Sequence, residues 1–267
     1  MYGTLGEGER MPARKAARRR PARPRTVGGP YTLALDIGGT GLKASILDHN
    51  GNMITERVRI PTPDDCPPRL LIAKLKELVA LIPPSAPGFD RISIGFPGVV
   101  RDGRIYTAAN LGTESWKNFD LGRAITKAFG KPTRILNDAD LQGLAAVNEF
   151  GGRGVEMVIT LGTGLGSSLF ENGRLLPHME FAHHPFRKGE SYEEQLGNAA
   201  LQSVGKKRWS RRVKIAIETL HNLVNYDHLY IGGGNSKEIK FRLPEHVTLI
   251  PNTLGMVGGV YLWKGHQ

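Results

Sequence analysis

From Tyr31 onward, apolar and polar positions fall into short blocks whose spacing predicts alternating strands and helices. Apolar runs at 32–37, 42–47 and 53–60 read as a meander, with the turn DHNG (48–51) joining the second run to the third. LLIAKLKELVALI (70–82) repeats apolar residues at helical spacing, and Pro83-Pro84 stops it. RISIGFPG (91–98) is a buried strand running into a Gly/Pro turn. A shorter helix around 119–129 and a strand at 133–136 complete one α/β half.

The second half begins in the same way. VEMVITLGTGLGSSLFENGRLL (155–176) predicts two strands and a turn, with ENG opening another reversal. Residues 206–226 read as a long helix with Trp209, Val213, Ile217, Leu220 and Val224 on one stripe. LYIGGGNS (229–236) predicts a strand ending in glycines, and VTLIPNT (247–253) another. The shared motif order predicts a duplicated α/β unit with its active site in the cleft between the halves. The expected units are a basic tail (1–30), an N-terminal α/β domain (31–136) and a C-terminal α/β domain (137–255). A last helix over 256–267 is expected to pack back on the first domain.

Within this frame, LALDIGGTGLKASIL (33–47) and MVITLGTGLGSSLF (157–170) are glycine-rich turns of one design, each entered and left by an apolar run. Glycine lets backbone N–H groups approach an anion with no Cβ in the way, and Thr adds a hydroxyl donor. Two such turns predict half-sites on opposite sides of a phosphate chain. Asp36 and Lys43 flank the first. A carboxylate beside phosphate acts through a divalent cation, usually Mg²⁺ held partly by water. The plain alternative is a hairpin whose Asp36 caps the turn. Neither turn is a P-loop, because Gly does not precede Lys43 and a strand follows. The second lacks the third glycine of a dinucleotide fingerprint, since Ser167 stands there.

ILNDADLQGLAAV (135–147) is the most reactive-looking segment. A strand delivers Asn137 and Asp138 to the start of a helix, where α/β folds place ligands. Asp138 is the candidate general base for an attacking hydroxyl, and Asn137 would orient the substrate. Asn and Asp also cap helices, and Asp140 is the better candidate for that plain role. HMEFAHHPFRKGESYEEQLGN (178–198) gathers Glu180, His183, His184, Glu193 and Glu194 in a loop-like stretch. Its donors and acceptors suit a polyol, and its His spacing matches no zinc pattern. An ordinary charged surface loop is the bland alternative.

Composition narrows the class. A length of 267 residues, 40% hydrophobic content and 34 Gly suit globular α/β structure. Cys66 is the sole cysteine, which rules out an internal disulfide and any cysteine-rich zinc site and fits a reducing cytoplasm. No apolar run approaches the roughly 18 residues of a membrane span, and no secretory signal is expected. Of the net charge of +11, residues 1–30 carry eight Lys/Arg against two Glu, leaving +5 for the rest. That Pro- and Arg-rich segment reads as disordered, either a plain solvated tail or a tether for a polyanion. A second basic run, KKRWSRR (206–212), sits at a helix start, where the helix dipole favours acids; it is a candidate track for a long polyanion.

LALDIGGTGLK, IGFPG, ILNDAD, ITLGTGLGSS and IGGG, in this order, resemble the ROK (repressor, ORF, kinase) sugar kinases over about 31–265. NDADLQGLAAV with EFAHHPFRKGESYEEQLGNAAL is similar to the polyphosphate- and ATP-dependent glucokinases and glucomannokinases of that family. The resemblance implies an actin-like ATPase (ribonuclease H-like) fold, two α/β domains about a hinged cleft. It also implies phosphorylation of the glucose 6-hydroxyl, and mannose is a further candidate acceptor. Carried over by position, Asp138 is the catalytic base, and Asn110, Asn137, Glu180, His183 and Glu193 are sugar ligands. Glu194 adjoins Glu193. Asp36, Gly38, Gly39, Thr40, Lys43, Thr163 and Gly164 form the phosphate and metal loops, with Asp36 toward Mg²⁺, and Gly232, Gly233 and Gly234 form the nucleotide side. Two departures stand out: no Cys follows position 66, so the zinc of many relatives is not expected, and Ala182 stands where Gly is common.

A sugar-responsive DNA-binding regulator is the rival from another class. It needs a helix-turn-helix domain, for which the Pro-rich residues before Tyr31 are too few, so no DNA partner is expected. A kinase for fructose or an N-acetylhexosamine is the nearer competitor. Oligomeric state is left open, a homodimer being compatible with the chain.

Overall fold

The computed structural model describes residues 29–109 and 111–264. The tail expected over 1–30 lies outside the described residues except for its last two. The first sheet begins with β1 (Thr32–Gly38) and β2 (Gly41–Leu47), antiparallel about the two-residue turn Gly39-Thr40. β3 (Val58–Ile60) adds to β2 and is shorter than the run expected over 53–60; Met53 keeps only an isolated bridge to Leu47. After helix α1 (Pro68–Ala80) comes β4 (Arg91–Phe96), parallel to β1. A small sheet of β5 (Val100–Arg101), β6 (Arg104–Ile105) and β7 (Phe119–Asp120) follows, with helix α2 (Thr113–Trp116) between its last strands. Helix α3 (Leu121–Phe129) leads to β8 (Thr133–Asn137), and the sheet order is β3-β2-β1-β4-β8.

Helix α4 (Asp138–Phe150) opens the second half. β9 (Val155–Leu161), β10 (Leu165–Glu171) and β11 (Arg174–Leu175) make an antiparallel meander. The stretch 178–198, expected to be loop-like, contains a 3₁₀ turn (Phe181–His183), a hairpin of β12 (Pro185–Arg187) with β13 (Glu190–Ser191), and helix α5 (Tyr192–Leu196). Its strands are too short to leave a period in the sequence. Helix α6 (Asn198–Val224) starts earlier than expected and is broken at Gly205, whose φ of 75° lies in the left-handed region. β14 (His228–Gly232) and β15 (Val247–Leu249) lie parallel beside β9. The order β11-β10-β9-β14-β15 repeats the first sheet, antiparallel meander and then parallel strands.

Each sheet is backed by its own core. Leu33, Leu35, Leu71, Leu75, Phe96 and Trp116 pack under the first, and Met157, Ile159, Trp209, Val213 and Ile217 under the second. The two indoles satisfy their N–H groups inside those cores, Trp116 at the carbonyl of Cys66 (3.0 Å) and Trp209 at that of Leu196 (2.8 Å).

The last described helix, α7 (Leu254–Tyr261), packs on β1 and β4 but also on α4. Two small residues make that double contact fit. A Cβ on Gly258 would lie 1.8 Å from the Leu141 carbonyl oxygen, and one on Gly259 would meet the Ser93 side chain. Ser93 Oγ donates to the Gly259 carbonyl at 2.6 Å and receives the Trp263 indole N–H at 2.9 Å, joining chain positions far apart.

Candidate active site

A cleft of about 560 Å³ lies between the two glycine turns. Asp36, Gly38, Gly39, Thr40 and Lys43 line one wall, and Thr163, Gly164, Gly233 and Gly234 the other. Asn137, Asp138, Glu180, His183 and Glu193 converge between them. Two expected residues are not placed there. Asn110 lies outside the described residues. Gly232 is buried at the end of β14, where a Cβ would meet the Gln142 amide at 2.4 Å, so it makes room for packing rather than for a ligand.

The first turn is set by register. β1 and β2 pair Asp36 directly with Lys43, and the ammonium donates to the carboxylate at 2.7 Å. Thr62 Oγ1 donates to the Gly38 carbonyl at 2.6 Å and pins the turn. The guanidinium of Arg59 lies against Gly41, where a Cβ would come within 2.6 Å of its Nε. This cation beside the turn escaped the sequence reading because it sits in a different strand. In the second half, Gly233 has φ of +83° and a Cβ there would lie 2.3 Å from the Leu161 carbonyl oxygen, so only glycine brings this backbone so close.

Asn137 and Asp138 sit where β8 becomes α4. The helix is capped by Asn137, whose side-chain oxygen accepts from Ala139 N–H (2.8 Å) and Asp140 N–H (3.2 Å), while its amide donates to the Gly98 carbonyl. This corrects the capping role expected of Asp140. The cap must precede the first helical residue with extended backbone, and Asn137 meets that condition (φ −56°, ψ 148°) whereas Asp140 already lies within the first turn of the helix. Asp138 faces the cleft. Its carboxyl is pushed up to about 7, first by burial and then by the charge of Asp36, with Asp140 and Glu180 adding to it; a bond from the Ala139 N–H opposes them.

Asp140 instead turns inward to a residue that the sequence reading passed over. His178 Nδ1 lies 3.0 Å from Asp140, and its Nε2 lies 3.1 Å from Glu180. The second contact is an ion contact without hydrogen-bond alignment. Burial pulls the imidazolium down, but the two carboxylates outweigh it and push His178 up to about 10. Glu180 is held below its ordinary value chiefly by His178. Burial raises Asp140, partly offset by His178. A signal was present in the spacing of His178 and Glu180, two residues apart, but nothing local announced burial.

The neighbouring acids separate cleanly. Glu193 reaches the cleft beside Gly164, where a Cβ would stand 2.4 Å from its Oε2. Glu194 closes a capping box with Ser191 at the start of α5. His183 lines the cleft, His184 rests near the Tyr192 ring, and Ala182 is buried in the second core. Among the described residues, no three His, Cys, Asp or Glu gather as a metal cluster, and no helix is long and apolar enough to cross a membrane.

The basic run is only partly free. Lys206 pairs with Glu238 at 2.9 Å, Trp209 and Ser210 are buried, and Arg212 donates to the Gln195 carbonyl. Lys207, Arg208 and Arg211 are exposed. Beside Gly234, Asn235 joins Gly205, Lys206 and Lys237 in a second cavity of about 410 Å³.

A family model described as ROK family matches residues 32–183. The chain belongs to the ROK family. A polyphosphate glucokinase of Mycobacterium tuberculosis (strain CDC 1551) is 31% identical over 246 residues, covering 85% of this chain and 89% of that one. The crystal structure of an inorganic polyphosphate/ATP-glucomannokinase from Arthrobacter sp. strain KM superposes with a TM-score of 0.79 at 31% identity, covering 88% of this chain and 98% of the other. A ROK family glucokinase of Streptomyces griseus, solved with glucose and AMPPNP, shares the fold at a TM-score of 0.73 and 20% identity, over 87% and 98% of the two chains. The ROK fold is the actin-like one, and the repeated sheet order agrees with it.

Proposed function

We propose that this ROK protein transfers the terminal phosphoryl group of polyphosphate or ATP to the 6-hydroxyl of glucose, and of mannose as well. The observation that carries the reading is Asp138. It is a carboxyl raised to about 7, standing between two glycine turns and beside Asn137, Glu180, His183 and Glu193. A sugar-responsive regulator needs no base poised near neutral pH, which favours an enzyme. The names of the relatives support glucose as acceptor and polyphosphate or ATP as donor.

In this reading Glu180, His183 and Glu193 hold the sugar hydroxyls, with Asn137 positioning the base. The 6-hydroxyl oxygen attacks the terminal phosphorus as the bridging P–O bond breaks, and the hydroxyl proton passes to Asp138. Backbone N–H groups of the two turns, with Thr40 and Thr163, cradle the phosphates, and Lys43 offsets their charge. The cleft would suit Mg²⁺ carried in with the donor, and Asp36 would hold it through its carboxylate. When bound, the ion would neutralise charge on the phosphoryl group. Closure of the cleft would exclude water, a competing acceptor. The setting is the cytoplasm, where sugar and ATP meet, and the single cysteine, Cys66, is a free thiol.

The test is a coupled assay of several hexoses, each with ATP and with polyphosphate. Glucose 6-phosphate should form with both donors, and mannose should be accepted. Turnover confined to fructose or an N-acetylhexosamine, or absent with every hexose, would overturn the assignment.

A further inference from the structure

We propose that His178 is a positioning residue: a buried imidazolium anchored on Asp140 that holds the Glu180 carboxylate in place for a sugar hydroxyl. The inference rests on the sugar-kinase reading and adds a residue to its acceptor side. The His178 side chain is 8% exposed and that of Asp140 4%, whereas Glu180 at 30% opens to the cleft. One ring nitrogen faces each carboxylate. A neutral imidazole donates through only one nitrogen, so two acidic neighbours call for the charged form. The ring therefore ties the first turn of α4, which begins with Asp138, to the loop that carries Glu180 and His183. Base and sugar carboxylate are thereby referenced to one scaffold.

The Nε2 contact is close but not aligned as a hydrogen bond, so the hold on Glu180 is electrostatic and engages Oε1, which leaves the other carboxylate oxygen to a sugar hydroxyl. The loop backbone does not depend on this ring for its place. Ser167 Oγ donates to the Met179 carbonyl at 2.8 Å and accepts from Phe181 N–H at 3.3 Å, fixing the segment to β10 on its own. Substitutions at 178 should leave the loop where it is and release the carboxylate.

The experiment is a double-mutant cycle on the full chain, with His178→Leu and Glu180→Ala alone and together, read as KM for glucose, KM for ATP and kcat. His178→Leu should raise the glucose KM about 10–100-fold, the range for leaving a part-buried carboxylate without its charged partner, with the ATP KM nearly unchanged. In the Glu180→Ala background the same change should cost less than about 3-fold, because the group that His178 positions is gone. His178→Gln, which keeps a donor in place of the ring, should recover part of the loss and carries the cycle if His178→Leu fails to fold. Multiplicative losses in the double variant, or matched losses for glucose and ATP, would make His178 a packing residue and overturn the proposal. A wild-type chain that turns over no glucose would instead strike the sugar-kinase reading beneath it.

Discussion

Asp138→Asn should make the protein less active and more stable at once, and both effects have one source. The wild-type carboxyl titrates at about 7 in the fold against an ordinary value of 3.8. Between those values the folded chain holds a proton that the unfolded chain has released, so the stability contributed by this group falls as pH rises from about 4 to 7 and is flat above. At about 1.36 kcal/mol per pH unit the gap amounts to roughly 4 kcal/mol at most. Water at the cleft mouth screens part of it, so a gain of about 1–3 kcal/mol is expected for the amide at pH 8. For a chain of this size that corresponds to roughly 3–10 °C in Tm. Below pH 4 the two proteins should melt alike. Catalysis moves the other way: kcat should fall about 10²–10⁴-fold, because the hydroxyl proton has no acceptor. In the wild type, kcat/KM should rise with pH up to a limb near 7 as Asp138 loses its proton. The measurements are thermal unfolding at several pH values and the coupled assay on the same preparations. Near-normal turnover for Asp138→Asn would remove Asp138 as the base, and unchanged or lowered stability at pH 8 would show that its carboxyl is not strained in the fold.

Asp36→Asn removes the negative charge that ranks second among the causes raising Asp138, so the acid limb of kcat/KM should shift below 7 while the Mg²⁺ requirement rises several-fold; a limb that stays in place would dissociate the two carboxylates. Gly164→Ala puts a methyl where the Glu193 carboxylate now lies, so the glucose KM should rise about 10-fold with little change in melting; an unchanged KM would take Glu193 off the sugar. Changing Lys206, Lys207 and Arg211 together to Gln should raise the KM for long-chain polyphosphate several-fold and weaken its salt dependence, while the ATP value holds; Arg212 is left alone because it bonds to Gln195, and equal effects on both donors would take this helix off the donor path.

Much was readable from order along the chain. The glycine turns, the strand that delivers Asn137 and Asp138, and the repeated α/β pattern are local properties. They depend on backbone freedom at glycine and on the period of apolar side chains, both written in neighbouring residues. What the sequence could not supply was the environment of each charge. Asp138 and Asp140 stand two residues apart with the same side chain, yet one opens on the cleft and the other is buried against His178. The helix turns them to different sides, and only tertiary packing decides what waits there. Glu193 and Glu194 divide in the same way, one into the cleft and one into a helix cap. Register across β1 and β2 brought Lys43 onto Asp36, and a separate strand brought Arg59 to the same turn. By itself the sequence determined which chemical groups the protein owns and the elements that carry them. The tertiary structure decided their neighbours and their distance from water, and through those their protonation, because electrostatic energy depends on separation and solvent rather than on position in the chain.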